Sequence, residues 1–294
     1  MRKLVGFIGF LDASGMSRLV EYVGNHDVIE CLRSDVLLQL QCALRDYLVV
    51  GGLPEAVNIW LKTKDYRKVD AFLDATLESM YGELDVSYPD AKALWNETAS
   101  QLARENSRFR RLRPRRPVPA WLVEQLLNHL VHTGSATKVH RLDSPNEHYE
   151  NFILQSQFKI YPLDTGLFRR MARLGPEAVL EDVPQLSRFR GTVTESYVLR
   201  ELLFLNVPIF YWKDGNTAEV DFIADFHGKL LPIEVKTSTN VKSHSLALYR
   251  QQYHPPIALR YSMLNLKHDD DLLNIPLPML HFTNQLLHTD GMNQ

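Results

Sequence analysis

From Asp35 the stretch "DVLLQLQCALRDYLVV" sets apolar residues at Leu37, Leu40, Leu44 and Leu48. That is the three-to-four spacing of a helix with one buried face, and Gly51-Gly52 ends it. "PEAVNIWLKT" then opens with Pro54, which suits a first helical turn. "RKVDAFLDATLESMYGEL" continues with Val69, Phe72, Leu73, Thr76, Leu77 and Met80 on one side. Residues 1–107 therefore read as a helical region. Pro114, Pro117 and Pro119 break the chain next, and "PAWLVEQLLNHLVHTG" predicts a helix with Trp121, Leu122, Leu126, Leu127 and Leu130 on its apolar side and Gly134 at its end. "ATKVHRL" and "FKIYPLD" read as two strands. Helices followed by a two-stranded ribbon suit a winged-helix-like connector over 108–185, although a plain helical connector has the same pattern. "LDTGLFRRMARLGPEAV" adds a short helix, and Gly175-Pro176 with Pro184 marks the boundary of a domain over 186–294.

The pattern changes to period two in "AEVDFIADFHGKLLPIEVKTS", Ala218 to Ser238. With His227-Gly228 as a two-residue hairpin turn, Val220 falls opposite Val235, Phe222 opposite Ile233 and Ala224 opposite Leu231, an apolar side. On the other side Asp221 falls opposite Glu234, and Glu219 opposite Lys236. Counting from the turn, Asp221 and Glu234 form a non-hydrogen-bonded pair, whose side chains are closest. Like charges directly opposite destabilise a sheet unless something cationic neutralises them. Mg²⁺ or Mn²⁺ bound by Asp221 and Glu234 meets that need, with Lys236 on the same face to orient an attacking water or stabilise developing charge. A solvent-facing hairpin with a Glu219–Lys236 pair is the plain structural alternative. The preceding helix, "GTVTESYVLRELLF", carries Val198, Leu202 and Leu205 on its inner stripe with Glu195 in line, a third acid aimed towards the sheet. Glu201, almost opposite on the wheel, is expected to be solvated.

Composition narrows the setting. No apolar run approaches the length of a membrane span, so no membrane partner is expected. The opening "MRKLVGFIGFLDASGM" is broken by Asp12 and lacks a clear cleavage site, so it is not read as a secretory signal. Cys31 and Cys42 form neither a disulfide framework nor a zinc motif, which fits a reducing cytoplasm. Net charge is −2, so the whole chain is no polyelectrolyte binder. Locally, "RFRRLRPRRP" places Arg108, Arg110, Arg111, Arg113, Arg115 and Arg116 together, a block that suits nucleic-acid phosphates or a solvated, Pro-broken loop. His129 and His132 are three apart but lack a nearby third ligand. No G-x-S-x-G, H-E-x-x-H or cysteine–histidine constellation is present.

Helix Glu195, strand Asp221, then Glu234-x-Lys236 on the next strand resembles the PD-(D/E)XK nuclease superfamily, which implies a restriction-endonuclease-like, mixed-sheet α/β fold. A longer series, "DYLVVGGLPEAV", "QLARENSRF", "FKIYPLDTGLF", "GTVTESYVLREL", "FYWKDGNTAEVDFI" and "LPIEVKTS", resembles the C-terminal portion of a large prokaryotic family of AAA-type ATP-binding proteins that ends in a nuclease-like domain of unknown function. It spans roughly residues 40 to 285. The resemblance implies metal and catalytic roles for Glu195, Asp221, Glu234 and Lys236, and an auxiliary helix bearing Tyr249, Gln252 and Tyr253. The family's ATPase loop is missing: no G-x-x-x-x-G-K-[ST] occurs, and "GFIGFLDASGMS" has no lysine to reach a phosphate. The chain is thus expected to be no ATPase by itself, and a truncated or split gene product would account for that. Two functions stay open: a Mg²⁺-dependent nuclease, or a non-catalytic module that binds DNA or protein together with an ATPase partner or by self-association.

Overall fold

The computed structural model describes residues 4–26, 28–83, 95, 120–146, 148–215, 218–237 and 243–289. In chain order its helices and strands are α1 (Phe7–Ala13), α2 (Ser17–Gly24), α3 (Ser34–Val50), α4 (Pro54–Thr63), α5 (Tyr66–Gly82), α6 (Ala120–His132), β1 (Ala136–Leu142), β2 (Ile153–Pro162), α7 (Thr165–Met171), α8 (Glu177–Leu180), α9 (Ser187–Phe204), β3 (Ile209–Asp214), β4 (Ala218–Phe226), β5 (Lys229–Lys236), α10 (His244–Tyr253), β6 (Ala258–Ser262), β7 (Lys267–Asp269), β8 (Leu272–Pro276) and α11 (Thr283–Thr289). The protein is mixed α/β. Two units alternate along the sequence: Met1–Val5, Arg45–Lys138 and Phe158–Ser196 form the first, and Gly6–Leu44, Val139–Gln157 and Tyr197–Gln294 the second. No described helix is long and apolar enough to cross a membrane.

In the first unit, two sequence motifs turn out to be halves of one lock. Gly51, at φ +80, leaves α3, and Pro54 starts α4 in its first turn. Asp164 caps α7 by accepting the Leu167 N–H at 2.9 Å, while its other oxygen accepts the Gly52 N–H at 2.5 Å. A Cβ on Gly51 would collide with that carboxylate, and one on Gly166 would lie 2.5 Å from the Val50 carbonyl oxygen. Gly51 of "GGLPEAV" is therefore set by the Asp164 carboxylate, and Gly166 of "DTGLF" by the close approach of the Val50 backbone. The adjacent Arg169 is fully buried, donates to the Val49 and Leu174 carbonyls at 3.2 and 2.9 Å and pairs with Asp70. Arg170 pairs with Asp74 at 2.7 Å, which ties α7 to α5. In α6, Leu126, Leu127 and Leu130 are buried as the spacing predicts, but Trp121, in the first turn, is 54 % exposed.

The strands form one eight-stranded mixed sheet in the order β2-β1-β3-β4-β5-β6-β8-β7. The two strands expected to make a winged-helix-like ribbon are neighbours at one edge of this sheet, with β1 also pairing in parallel with β3. The hairpin joining β4 and β5 forms as the sequence predicts. His227 and Gly228 both have positive φ, 56° and 83°, the requirement of a type I′ turn. Asp225 secures it by accepting the Gly228 N–H at 2.6 Å and the Tyr149 hydroxyl at 2.8 Å. Helix α10 makes the crossover from β5 to its parallel neighbour β6, and its Leu246 and Tyr249 pack with Trp212, Val220, Ile223 and Ala258.

Helix α9 buries Val198 and Leu202 as expected, and Leu199 besides. Glu201, expected in solvent, is instead 1 % exposed. The N-terminal helix accounts for this within the second unit. Gly6, preceding α1, has no side chain with which to cap it, and Glu201 Oε1 accepts the Phe7 N–H at 2.9 Å. The Phe7 ring meets Tyr197 edge-on, centroids 6.2 Å apart. A carboxylate thus performs the cap from 194 residues away in sequence. Burial pushes its pKa up to about 7, with the Phe7 N–H and the Arg200 charge opposing.

That shift has a defined sign. Between the ordinary value of 4.5 and about 7 the folded state holds a proton on Glu201 that the unfolded chain has released. Stability should therefore fall as pH rises through this window, by at most on the order of 3 kcal/mol. Urea unfolding of Glu201→Gln, which keeps an acceptor for Phe7, is expected to show a flatter dependence between pH 5 and 8. A slope equal to that of the wild type would assign the effect to other groups.

Candidate functional site

The site begins with one extra residue in β4. Phe210 pairs with Ile223 and Trp212 with Val220, so two steps along β3 are matched by three along β4. The surplus lies at Asp221–Phe222, and such a bulge bends the strand and re-aims its side chains. The β4–β5 pairs run from Phe226–Lys229 to Phe222–Ile233, in the register expected from the sequence, and end there. Asp221 consequently does not meet Glu234 as a simple cross-strand pair. Its Oδ2 accepts the Val235 N–H at 2.8 Å, taking the place of a backbone acceptor where the ladder stops. Glu219 pairs with Lys213 at 3.6 Å, and Lys236 lies 2.5 Å from Glu234 Oε1. The Glu219–Lys236 pair of the plain hairpin is thereby replaced.

On β5, Glu234 is only 5 % exposed. It is the register partner of Arg260 on β6, and Arg260 in turn of Asn274 on β8. Lys236 is likewise beside Ser262. Register partners, and residues two apart, share a face of the sheet, so Glu234, Lys236, Arg260, Ser262 and Asn274 form a polar patch towards the C-terminal ends of three parallel strands. Ser262 donates to Asn274 Oδ1 at 2.8 Å, and Asn274 Nδ2 donates to the Asn265 carbonyl at 2.9 Å, so the outer part of the patch is satisfied. Two inner atoms are not. Glu234 Oε2 and Arg260 Nε are shielded from solvent and have no hydrogen-bond partner among the described residues. Burial lowers the Arg260 pKa, with Glu234 and Asp269 opposing.

Asp221 on β4 thus bonds the β5 backbone at Val235, between Glu234 and Lys236, which pair with each other; all three belong to the second unit. Glu195, on the part of α9 that belongs to the first unit, is half-buried and accepts the Tyr161 hydroxyl at 3.1 Å. Arg108, Arg110, Arg111, Arg113, Arg115 and Arg116 lie outside the described residues. His129 and His132 are both exposed. On α10, Tyr249 and Tyr253 pack edge-on against Trp212, and the Tyr253 hydroxyl accepts the Trp212 indole N–H at 3.3 Å, so these rings serve the core. Arg260 and Asn274 escaped the sequence reading. Their one signal is a polar residue in the middle of a short strand, "ALRYS" and "LLNIP".

No group of three or more His, Cys, Asp or Glu side chains among the described residues is arranged to hold a metal. Two carboxylates remain, and Mg²⁺ commonly takes one or two while keeping several waters. The shielded, unpartnered Oε2 of Glu234 fits such a hard cation.

Residues 190–280 match a family described as a domain of unknown function (DUF4143), and residues 41–178 match a second domain of unknown function (DUF8612). Over 91 residues the chain is 35 % identical to uncharacterized proteins of Mycobacterium tuberculosis (Rv2008c) and Mycobacterium bovis (Mb2031c). The matched stretch is 30 % of this chain and 20 % of each relative, so the chain spans about a fifth of the length of these curated relatives. No solved structure matches.

The Glu234–Lys236 pair can be measured directly. Lys236→Met leaves a shielded carboxylate without its nearest cation and should cost about 2–4 kcal/mol. Combining it with Glu234→Gln should recover much of that loss in a double-mutant unfolding cycle; strictly additive losses would show that the two groups do not interact.

Proposed function

We propose that the second unit is a metal-dependent phosphodiesterase acting on nucleic acid, a nuclease of the PD-(D/E)XK kind that uses Mg²⁺ or Mn²⁺. The observation that carries this is Glu234 Oε2, buried and unpartnered beside Lys236, with Asp221 re-aimed by a bulge on the neighbouring strand. The strand order behind the sequence resemblance supports it, since Asp221 lies on β4 and Glu234-x-Lys236 on β5. Asp221 and Glu234 would hold the ion. When bound, a divalent ion there lowers the pKa of an attacking water and neutralises charge on a phosphodiester oxygen. Lys236, through Nζ, orients that water or steadies the charge of the transition state. The arginine block from Arg108 to Arg116 guides the nucleic-acid backbone in this proposal, and the chain acts together with an ATPase partner or with a second copy of itself.

One observation favours a non-catalytic module for DNA or protein. Lys236 lies within ion-pair distance of Glu234 and Arg260 is its register partner, so the chain itself provides cations for the carboxylate. The two functions separate in one experiment. Calorimetric titration with Mn²⁺ and Mg²⁺ is made on the wild type and on Asp221→Ala/Glu234→Ala, with cleavage of plasmid and single-stranded DNA followed on the same samples. Binding and cleavage in the wild type alone support the nuclease. Absence of both from the wild type sinks it and leaves the binding module.

For the arginine block, Arg113→Ala/Arg116→Ala should weaken metal-free DNA binding and lower its salt slope by up to about two. An unchanged slope would remove these arginines from the interface.

A further inference from the structure

The polar patch pairs two atoms of opposite need. Glu234 Oε2 is an acceptor without a donor, and Arg260 Nε a donor without an acceptor; they belong to register partners on adjacent strands and do not bond each other. Arg260 is only partly exposed, and Arg250, the other basic residue whose charge reaches it, is engaged by Asp271. A guanidinium held in such a position, with a shielded N–H unused, is poorly explained as a structural ion pair. Where Arg169 of the first unit serves structure, its Nε and both terminal nitrogens meet carbonyls or carboxylates. Arg260 instead keeps an Nε–H donor without an acceptor, and a guanidinium is a group suited to an oxyanion beside the carboxylate proposed to hold a metal.

We propose that Arg260 is a phosphate-contacting residue of this site, binding a non-bridging oxygen of the nucleic-acid backbone next to Glu234. The assignment rests on the phosphodiesterase proposal and extends it to a residue outside the Asp221, Glu234 and Lys236 set. Lys236 and Arg260 then flank Glu234 with distinct duties: Lys236 is engaged by the carboxylate, whereas Arg260 has the donor capacity for substrate. Because its contact is made to the backbone, Arg260 contributes affinity without reading sequence.

Two variants test this, Arg260→Met and Arg260→Lys. A duplex oligonucleotide is titrated without metal over a range of salt concentrations, and cleavage and Mn²⁺ affinity are measured separately. Arg260→Met is expected to weaken duplex binding about tenfold and reduce the salt slope by about one, to raise KM more than it lowers kcat, and to leave the far-ultraviolet circular dichroism spectrum unchanged, while Mn²⁺ affinity does not fall, because the lost positive charge opposed a cation at Glu234. Arg260→Lys, which keeps the charge but not the fork, should restore the slope and only part of the affinity. Unchanged duplex affinity and salt slope in Arg260→Met overturn the assignment, even where the wild type cleaves. A wild type that binds duplex, with an Arg260-dependent slope, but neither binds Mn²⁺ nor cuts would overturn the metal-dependent reading while retaining the phosphate contact. A wild type that binds no nucleic acid overturns both.

Discussion

The extra residue in β4 is the constraint on which the candidate site depends. Regular pairing would oppose Asp221 and Glu234 on one face of the hairpin, a repulsive arrangement. The bulge at Asp221–Phe222 ends the ladder after Phe222–Ile233, and the Asp221 carboxylate accepts the Val235 N–H that regular pairing would no longer satisfy. A single backbone irregularity therefore removes a direct repulsion, caps an opened strand end and holds a carboxylate near the Glu234-x-Lys236 segment. The apolar packing of Trp212, Val220 and Ile223 beneath α10 keeps the bulged strand in place. Position of the acids and integrity of the core are thus consequences of the same local geometry.

Formal charge around the patch is balanced by the chain itself. Asp221, on the neighbouring strand, and Glu234 carry two negative charges, Lys236 and Arg260 two positive ones. Opposed acids in a hairpin suggest an external cation when only two strands are considered; the third strand brings in Arg260 and changes the count. Balance of charge is not saturation of hydrogen bonds, however. Glu234 Oε2 and Arg260 Nε remain shielded and unpartnered, and a buried polar atom left in that condition costs on the order of 1–3 kcal/mol. In the proposed function a metal-associated phosphate, which has both acceptor and cationic character, meets these two atoms.

How much could be read in advance follows the range of the interactions. Helices α3, α4 and α5 and the β4–β5 hairpin carry their own periodicity and turn chemistry, so Gly51-Gly52, Pro54 and His227-Gly228 predict their boundaries. Asp221, Glu234 and Lys236 were legible for the same reason, since they lie within one hairpin. The bulge was not, because strict alternation and a one-residue surplus look alike until β3 is placed alongside. Arg260 and Asn274 required the order β5-β6-β8, a property of the assembled sheet. A helical wheel places Glu201 outward from its own helix, and the bond it accepts from Phe7 comes from the far end of the sequence, beyond the reach of local periodicity. The strands β1 and β2 were found as strands, but their membership in the large sheet depends on pairing with β3.

Buried charge has two different characters in this chain. In the first unit, Asp164 accepts two backbone N–H groups and Arg169 fills all three of its nitrogens, so each charge is consumed by holding helices and turns together. In the second unit, Glu201 is also consumed, by capping α1. Glu234 and Arg260 are the contrast: Glu234 is buried and Arg260 partly so, yet each retains a shielded, unused atom. Desolvation without saturation stabilises nothing in the free protein, and a sheet could bury apolar residues at these two register positions with less strain on its hydrogen bonding. In the proposed function these retained polar atoms serve a ligand rather than the fold, which sets the patch on β5 and β6 apart from the saturated network around Arg169.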